Sequence, residues 1–257
     1  MTKTTLKTLL AGASAATLML GAAQAATSTF TVDFTELNGS GVSGSGTLVY
    51  VDDDPDDDVY GTLQIDITFQ GLDAGPHPMH IHGLFEDGAG SPAVDSVTPT
   101  MAADAAGDND GFIEVAEGVP SYGDILLSLT TDPGNADALL TANGDGTTTY
   151  SQLFDLSDSS IFLPSPATGV TYSAEDLFPL ILREVVIHGL VVADDAGGGT
   201  FEITGDNCPD GQDSCYVALL PVASAEIMAQ PVPIPGAAAL FLTAGLAGGA
   251  FRFRRNG

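Results

Sequence analysis

Regular alternation of apolar and polar residues is the sequence feature that most constrains how this chain folds. Within residues 61–69 the apolar side chains occupy every second position: Leu63, Ile65, Ile67 and Phe69. Because side chains of a β-strand point alternately to its two faces, such a segment forms a strand with one buried and one solvated face. This pattern is typical of antiparallel sheets.

Similar segments recur along the chain, separated by clusters of Gly, Asp, Asn and Pro and without a sustained helical period. The further predicted strands are 27–37, 46–51, 111–115, 125–129, 184–192, 200–203 and 216–219. Two stretches, 91–108 and 132–176, are predicted to be loop insertions, with short helical turns at 136–140 and 174–178. We therefore expect one all-β domain over residues 26–231, an antiparallel sandwich or flattened barrel.

The N-terminal segment, residues 1–25, has the three parts of an export signal. Lys3 and Lys7 form a basic start, an apolar stretch follows, and Ala23 and Ala25 provide an A-x-A cleavage site. This arrangement predicts a signal peptide, so we expect the mature protein to be exported.

The C-terminal segment, residues 232–257, begins with the motif Val232, Pro233, Ile234 and Pro235, continues with an apolar stretch and closes with several arginines. The apolar stretch is shorter than the roughly 20 residues of a full membrane span, so this hydrophobic helix would insert marginally or be removed. The order of features resembles the PEP-CTERM sorting signals of bacteria, in particular the VPLPA variant. That resemblance implies an exosortase-like membrane protease as partner and a final location outside the cell or on the cell envelope.

Charge excludes several classes of function. The chain has 34 acidic and 6 basic side chains, and Arg183 is the only basic residue outside the two terminal segments, so the domain between them has a net charge near −33. Such a surface repels nucleic acid and anionic lipid.

Three of the four histidines lie within seven residues: His77, His80 and His82. In an extended strand His80 and His82 point to the same face and can hold one metal ion. The fourth, His188, lies in an apolar strand and would complete a three-nitrogen site if that strand faces the same cavity. Imidazole nitrogens suit copper or zinc. The alternative is an exposed pair and a hydrogen-bonded core histidine.

The two cysteines, Cys208 and Cys215, lie in a turn-rich loop, and in an exported chain this predicts a local disulfide. Two acidic stretches are also candidate calcium ligands: residues 52–58, and residues 108–113 with Glu117 downstream. The second resembles part of an EF-hand loop, but no flanking helices are predicted. A solvated loop and an Asp-Gly turn explain the two stretches at least as well.

With its strands and histidines placed, the domain resembles the copper/zinc superoxide dismutase superfamily and the related CHRD domain. The motif G-x-H-G-F-H-x-H of that family is matched at Gly75, His77, His80 and His82. The copper-completing strand of the family resembles the segment from Val186 to His188 and the acidic loop after it. The resemblance implies a Greek-key fold, one copper ion held by His80, His82 and His188, and a structural hydrogen-bonding role for His77.

The chain also departs from the family. No histidine lies between His82 and His188, so the bridging imidazolate and the zinc site of the family are missing. The substrate-guiding arginine has no counterpart, and the odd offset of Arg183 from His188 sends it to the opposite strand face. Pro78 replaces a glycine of the motif. No catalytic residue is assigned.

These features lead to three hypotheses of function. The first is an exported, envelope-associated copper-binding protein with weak or no dismutase activity. The second is an active copper-only superoxide dismutase, and the third is a metal-free structural or matrix module. The sequence leaves the oligomeric state open.

Overall fold

A computed structural model describes residues 26–52, 59–198, 203, 205 and 207–230. The predicted signal peptide, the sorting motif with its apolar tail, most of the acidic run 52–58 and most of the strand predicted at 200–203 lie outside these residues. Within the described part of the chain, no helix is both long and apolar enough to cross a membrane.

Within the described residues the chain forms twelve β-strands and three short α-helices. The strands are β1 (Ala26–Glu36), β2 (Ser43–Asp52), β3 (Thr62–Gln70), β4 (Ala74–His77), β5 (Met79–Phe85), β6 (Ala93–Val94), β7 (Asp124–Ser128), β8 (Leu140–Asn143), β9 (Thr147–Asp155), β10 (Arg183–Ala193), β11 (Ser214–Glu226) and β12 (Met228–Ala229). The helices are α1 (Ala102–Ala106), α2 (Val115–Tyr122) and α3 (Ala174–Leu177), with 3-10 turns at Ser159–Ile161 and Leu180–Leu182.

All strand pairings are antiparallel, which confirms the all-β antiparallel class. The main sheet has the order β6-β5-β10-β11-β1-β2-β3-β9, with β7 beside β5 and β12 beside β1. Strands β4 and β8 form a separate pair. The two ends of the main order are not paired with each other among the described strands, so the sheet does not close into a barrel.

One hydrophobic core lies between two halves of this sheet, one containing β1, β2, β3 and β9 and the other containing β5, β10 and β11. The alternating apolar residues of β3 are at most 2% exposed, as their period predicts. They share a core with apolar residues of β5, β10 and β11, so the two halves pack face to face. From the metal-motif strands the core takes Met79, Ile81, Val185 and Ile187. The residues between these, on β5 and β10, therefore point to the other face of the sheet.

Two predicted elements are wrong, and the predicted loop insertion 132–176 contains two strands, β8 and β9. Residues 111–115 are not a strand, because Glu114 caps α2 and forms a capping box with Glu117. Residues 136–140 are not a helical turn, because β8 begins at Leu140 and leads into β9, which pairs along the whole of β3. The helical turn predicted at 174–178 is present as α3.

A disulfide joins Cys208 to Cys215, with their Cα atoms 5.4 Å apart. Cys215 lies on β11 opposite Val192 of β10. The bond therefore closes the loop between these strands at the point where β11 begins.

Glu184 of β10 is a fully buried carboxylic acid on the face opposite the core. One of its oxygens, Oε1, accepts hydrogen bonds from the hydroxyls of Thr98 and Ser224. The other, Oε2, has no hydrogen-bond partner within the described residues. Burial, the largest cause, raises the pKa of Glu184 from 4.5 to about 7.

This pKa predicts a pH-dependent contribution to stability. The folded state retains the Glu184 proton to a higher pH than the unfolded state, so this contribution is complete below the unfolded pKa and is lost as the pH rises through about 7. As the pH rises from about 4 to about 8, we expect the unfolding free energy of metal-free Glu184→Gln to increase by about 3 kcal/mol relative to that of the original protein. Denaturant unfolding across this range measures the difference. A difference that stays constant with pH would contradict the raised pKa.

Candidate metal centre

The pairing of β5 with β10 brings three histidines to one face of the sheet. His80 lies opposite Val186, and the backbone N–H of His188 donates to the carbonyl of Pro78 at 2.9 Å. His188 is therefore two positions along the pair from His80, on the same face. The register of β10 against β11 shifts on both sides of His188, where Gly189 takes a φ of 109°. A side chain at Gly189 would overlap the Tyr216 hydroxyl.

The three imidazoles converge on a common point. One potential ligand nitrogen from each of His80, His82 and His188 lies within 4.8 Å of the others. The ring centroid of His80 lies 5.5 Å from the ring centroid of His82 and 5.5 Å from that of His188. His82 and His188 are buried, whereas His80 is half-buried and lies at the solvent side of the group.

Hydrogen bonds determine which ring nitrogens are available. His82 Nδ1 lies 3.0 Å from the carbonyl oxygen of Gly123, and His188 Nδ1 lies 2.6 Å from that of Leu219. A carbonyl only accepts, so both Nδ1 atoms carry the proton and both Nε2 atoms keep a lone pair. Within the described residues, the buried ring nitrogens without a hydrogen-bond partner are His80 Nδ1, His82 Nε2 and His188 Nε2. For His82 and His188 this is the pattern expected of metal ligands whose second nitrogen is held by the protein.

All three histidines are neutral at physiological pH. Burial, the largest cause, lowers the pKa of His82 to about 3 and that of His188 to about 4. Burial also lowers the pKa of His80 well below its usual value, and the two neighbouring imidazoles lower it further. Protons therefore compete weakly with a metal ion for these nitrogens.

His77 does not belong to the group that converges. Its Nδ1 lies 2.7 Å from the carbonyl oxygen of His188, and its Nε2 lies 2.9 Å from that of Asp73. The ring also packs edge-on against Tyr216. His77 thus links the backbone of one candidate ligand to the segment before β4, which is a structural role.

Arg183, the only cation among the described residues, is engaged elsewhere. It is 1% exposed, and its guanidinium donates to the backbone carbonyls of Leu177, Leu84 and Asp176. It also lies over the ring of Phe85, 4.9 Å from the centroid. Within the described residues no cation is available to guide an anion to the histidines.

The carboxylates around α1 and α2 form a second group. Potential ligand oxygens of Asp104, Asp108 and Glu117, and those of Asp108, Asp110 and Glu114, lie within 4.8 Å of one another. Several of them accept backbone N–H groups: both oxygens of Glu117 do so, from Asp108 and Glu114. These hydrogen bonds organise the turn that leads into α2, whereas the Asp-Gly turn was expected to open a strand.

Three partners of the histidines have no signal in the sequence. The carbonyls of Gly123 and Leu219 hold His82 and His188, and the ring of Tyr122 packs against His82 with centroids 4.6 Å apart. Each contact spans 31 or more residues, and a backbone acceptor carries no side-chain motif. Only the strand pairing reveals them.

In comparisons with known proteins, no family model matches the chain and no curated protein is significantly similar to it.

The buried neutral histidines predict acid sensitivity of the metal-free protein. The folded pKa of His188 lies below its unfolded value of 6.5, so its contribution to stability is present above pH 6.5 and is lost as the pH falls toward about 4. His188→Asn keeps a donor for the Leu219 carbonyl but cannot titrate. Between about pH 7 and pH 4 we expect this variant to lose about 3 kcal/mol less stability than the original protein. Equal losses in denaturant unfolding would show that folding does not lower the pKa of His188.

Proposed function

We propose that this protein is an exported, envelope-associated copper-binding protein of superoxide dismutase-like Greek-key fold, with weak or no dismutase activity. The observation that carries the proposal is the convergence of three buried ring nitrogens that lack hydrogen-bond partners among the described residues. Leaving such groups without a partner in the fold costs free energy, and one bound ion would satisfy all three.

The ligand set favours copper. It consists of three neutral imidazoles without a carboxylate or thiolate among them, which disfavours calcium and manganese. Among divalent ions, affinity for nitrogen sites increases from zinc to copper. One copper ion would be held by His80, His82 and His188 and would supply redox chemistry at an open coordination position. A zinc site of the dismutase type is not part of the proposal, because the one remaining histidine, His77, is hydrogen-bonded to two backbone carbonyls.

The proposed location rests on the two ends of the chain. Residues 1–25 would direct export, and the tail from Val232 would be recognised by an exosortase-like protease at the membrane. The disulfide between Cys208 and Cys215 is compatible with an oxidising compartment. Nucleic acid is not proposed as a partner, because the domain is strongly acidic.

A copper titration tests the histidine site. We expect one tightly bound copper ion per mature protein, and its loss in His80→Ala, because that change removes one of three ligands. The matched control is Asp108→Asn, which alters both carboxylate groups but leaves the histidines intact, and it should bind copper normally. Equal copper binding by His80→Ala and the original protein would contradict the proposal. It would show that acidic loops hold the metal.

The rival hypothesis of an active copper-only dismutase is favoured by one observation. His80 is half-buried, so part of this residue is accessible to solvent. Three imidazoles also leave a coordination position for a small substrate. The surroundings oppose it. The chain lacks a bridging histidine to deliver protons, and Arg183 is buried away from solvent.

Salt dependence separates the two hypotheses. Superoxide is an anion, and the domain has a net charge near −33, from 34 acidic residues against one arginine. We expect the copper-loaded protein to dismutate superoxide slowly, with a rate that increases with salt as repulsion is screened. Pulse radiolysis at several ionic strengths measures this rate. A rate near the diffusion limit that falls on adding salt would establish the dismutase instead.

A further inference from the structure

We propose that the C-terminal end of α2, namely Tyr122 and Gly123, positions the imidazole of His82 for the metal. The proposal goes beyond copper binding, and it rests on the proposed function only in taking His82 as a ligand. Tyr122 and Gly123 are positioning residues, because they contact the ring of His82 while the Tyr122 hydroxyl donates to the carbonyl of Val115.

Tyr122 and Gly123 together form the α2 corner, and two contacts from this corner hold the His82 ring. The carbonyl of Gly123 accepts a hydrogen bond from His82 Nδ1–H, with 3.0 Å between oxygen and nitrogen. This bond determines the tautomer and directs Nε2 toward the other histidines. The ring of Tyr122 packs on the imidazole, with centroids 4.6 Å apart and planes at 64°. The hydrogen bond fixes one direction of the ring, and the aromatic contact restricts rotation about it.

The corner is itself held rigidly by α2. Tyr122 is fully buried, and its hydroxyl donates to the carbonyl of Val115 at the start of the helix, 3.1 Å away. The backbone N–H of Gly123 donates to Val119, which ends the helix. Gly118 makes room for the tyrosine, because a Cβ there would overlap the Tyr122 ring.

The position of Gly123 requires glycine. Its φ of 88° belongs to the left-handed region, and a Cβ would overlap the carbonyl oxygen of Gly83, the neighbour of His82. Close approach of the two backbones is what brings the Gly123 carbonyl within reach of His82. The next residue, Asp124, pairs with Gly83 on β5 and accepts hydroxyls from Ser165 and Thr168. The corner is therefore anchored on both sides.

The three histidines differ in which part of the protein holds their rings. His188 is held by Leu219 on β11, the strand beside its own, and His80 Nδ1 has no hydrogen-bond partner. His82 alone is held by a segment between β6 and β7, outside the strands that carry the histidines. Changes at the α2 corner should therefore affect His82 and leave the sheet itself in place.

The first test uses metal-free protein and does not depend on copper. Long-range 1H–15N correlation spectra of histidine-labelled protein report which ring nitrogen carries the proton. We expect His82 to show a single tautomer with the proton on Nδ1, and Tyr122→Leu to show a mixture of tautomers. The matched control is Tyr150→Leu, because Tyr150 is also buried and its hydroxyl also donates to a backbone carbonyl, that of Thr130. A mixture in the original protein, or no change in Tyr122→Leu, would overturn the inference.

The second test uses the copper-loaded protein. Tyr122→Leu should change the Cu(II) electron paramagnetic resonance spectrum and weaken copper binding by about 10-fold or more, as loss of an outer-shell partner does in other metal sites. Tyr150→Leu should change neither. If Tyr122→Leu does not fold, Gly118→Ala displaces the ring without removing it and should produce the same changes. An unchanged spectrum and affinity in a folded variant would overturn the inference.

The two failures are distinguishable. Absence of copper binding by the original protein, with a single His82 tautomer that Tyr122→Leu disrupts, would reject the proposed function and retain the positioning role. Normal copper binding that neither corner variant alters would retain the function and reject the positioning role.

Discussion

The antiparallel pairing of β5 with β10 is the interaction on which the rest of the structure depends. One face of the pair contributes Met79, Ile81, Val185 and Ile187 to the core. The same register, through the strict alternation of strand side chains, sends His80, His82 and His188 to the other face. A slip of one residue would exchange the two sets and bury imidazoles in the apolar core. The core therefore fixes which face of the sheet carries the candidate metal centre, while contacts with Gly123, Tyr122 and Leu219 hold two of its rings.

Burial of three imidazoles without a counter-charge defines the chemistry that this face can support. Desolvation keeps the rings neutral, and the carbonyls of Gly123 and Leu219 accept hydrogen bonds from the Nδ1–H groups of two of them. What remains is a set of lone pairs directed at one another, an arrangement that is unfavourable unless something electron-poor lies between them. A proton can satisfy one such nitrogen but adds a buried charge. A soft or borderline metal ion satisfies all three at once.

Sequence reasoning anticipated those parts of the structure that depend on local periodicity. The alternation in β3 and the H-x-H spacing in β5 specify which face a side chain occupies, and this was enough to select the three histidines that converge. It failed where a short segment carries two signals. Residues 111–115 contain the strand-forming residues Phe112, Ile113 and Val115, but Glu114 and Glu117 form a capping box that begins α2. It could not find Tyr122 and Gly123, because their contacts with His82 depend on where a long connection returns to the sheet.

Charge gives this fold opposite behaviour toward cations and anions. The domain carries 34 acidic side chains, and its single arginine is buried, where it binds backbone carbonyls near the start of β10. Arg183 thus supports the strand that carries His188 but presents no positive charge to solvent. A field of this sign concentrates metal cations near the surface and depletes anions such as superoxide. The same feature that would favour acquisition of copper would therefore disfavour dismutation of superoxide. This is why the function that we propose from the histidines and the surface around them is metal binding rather than rapid dismutation.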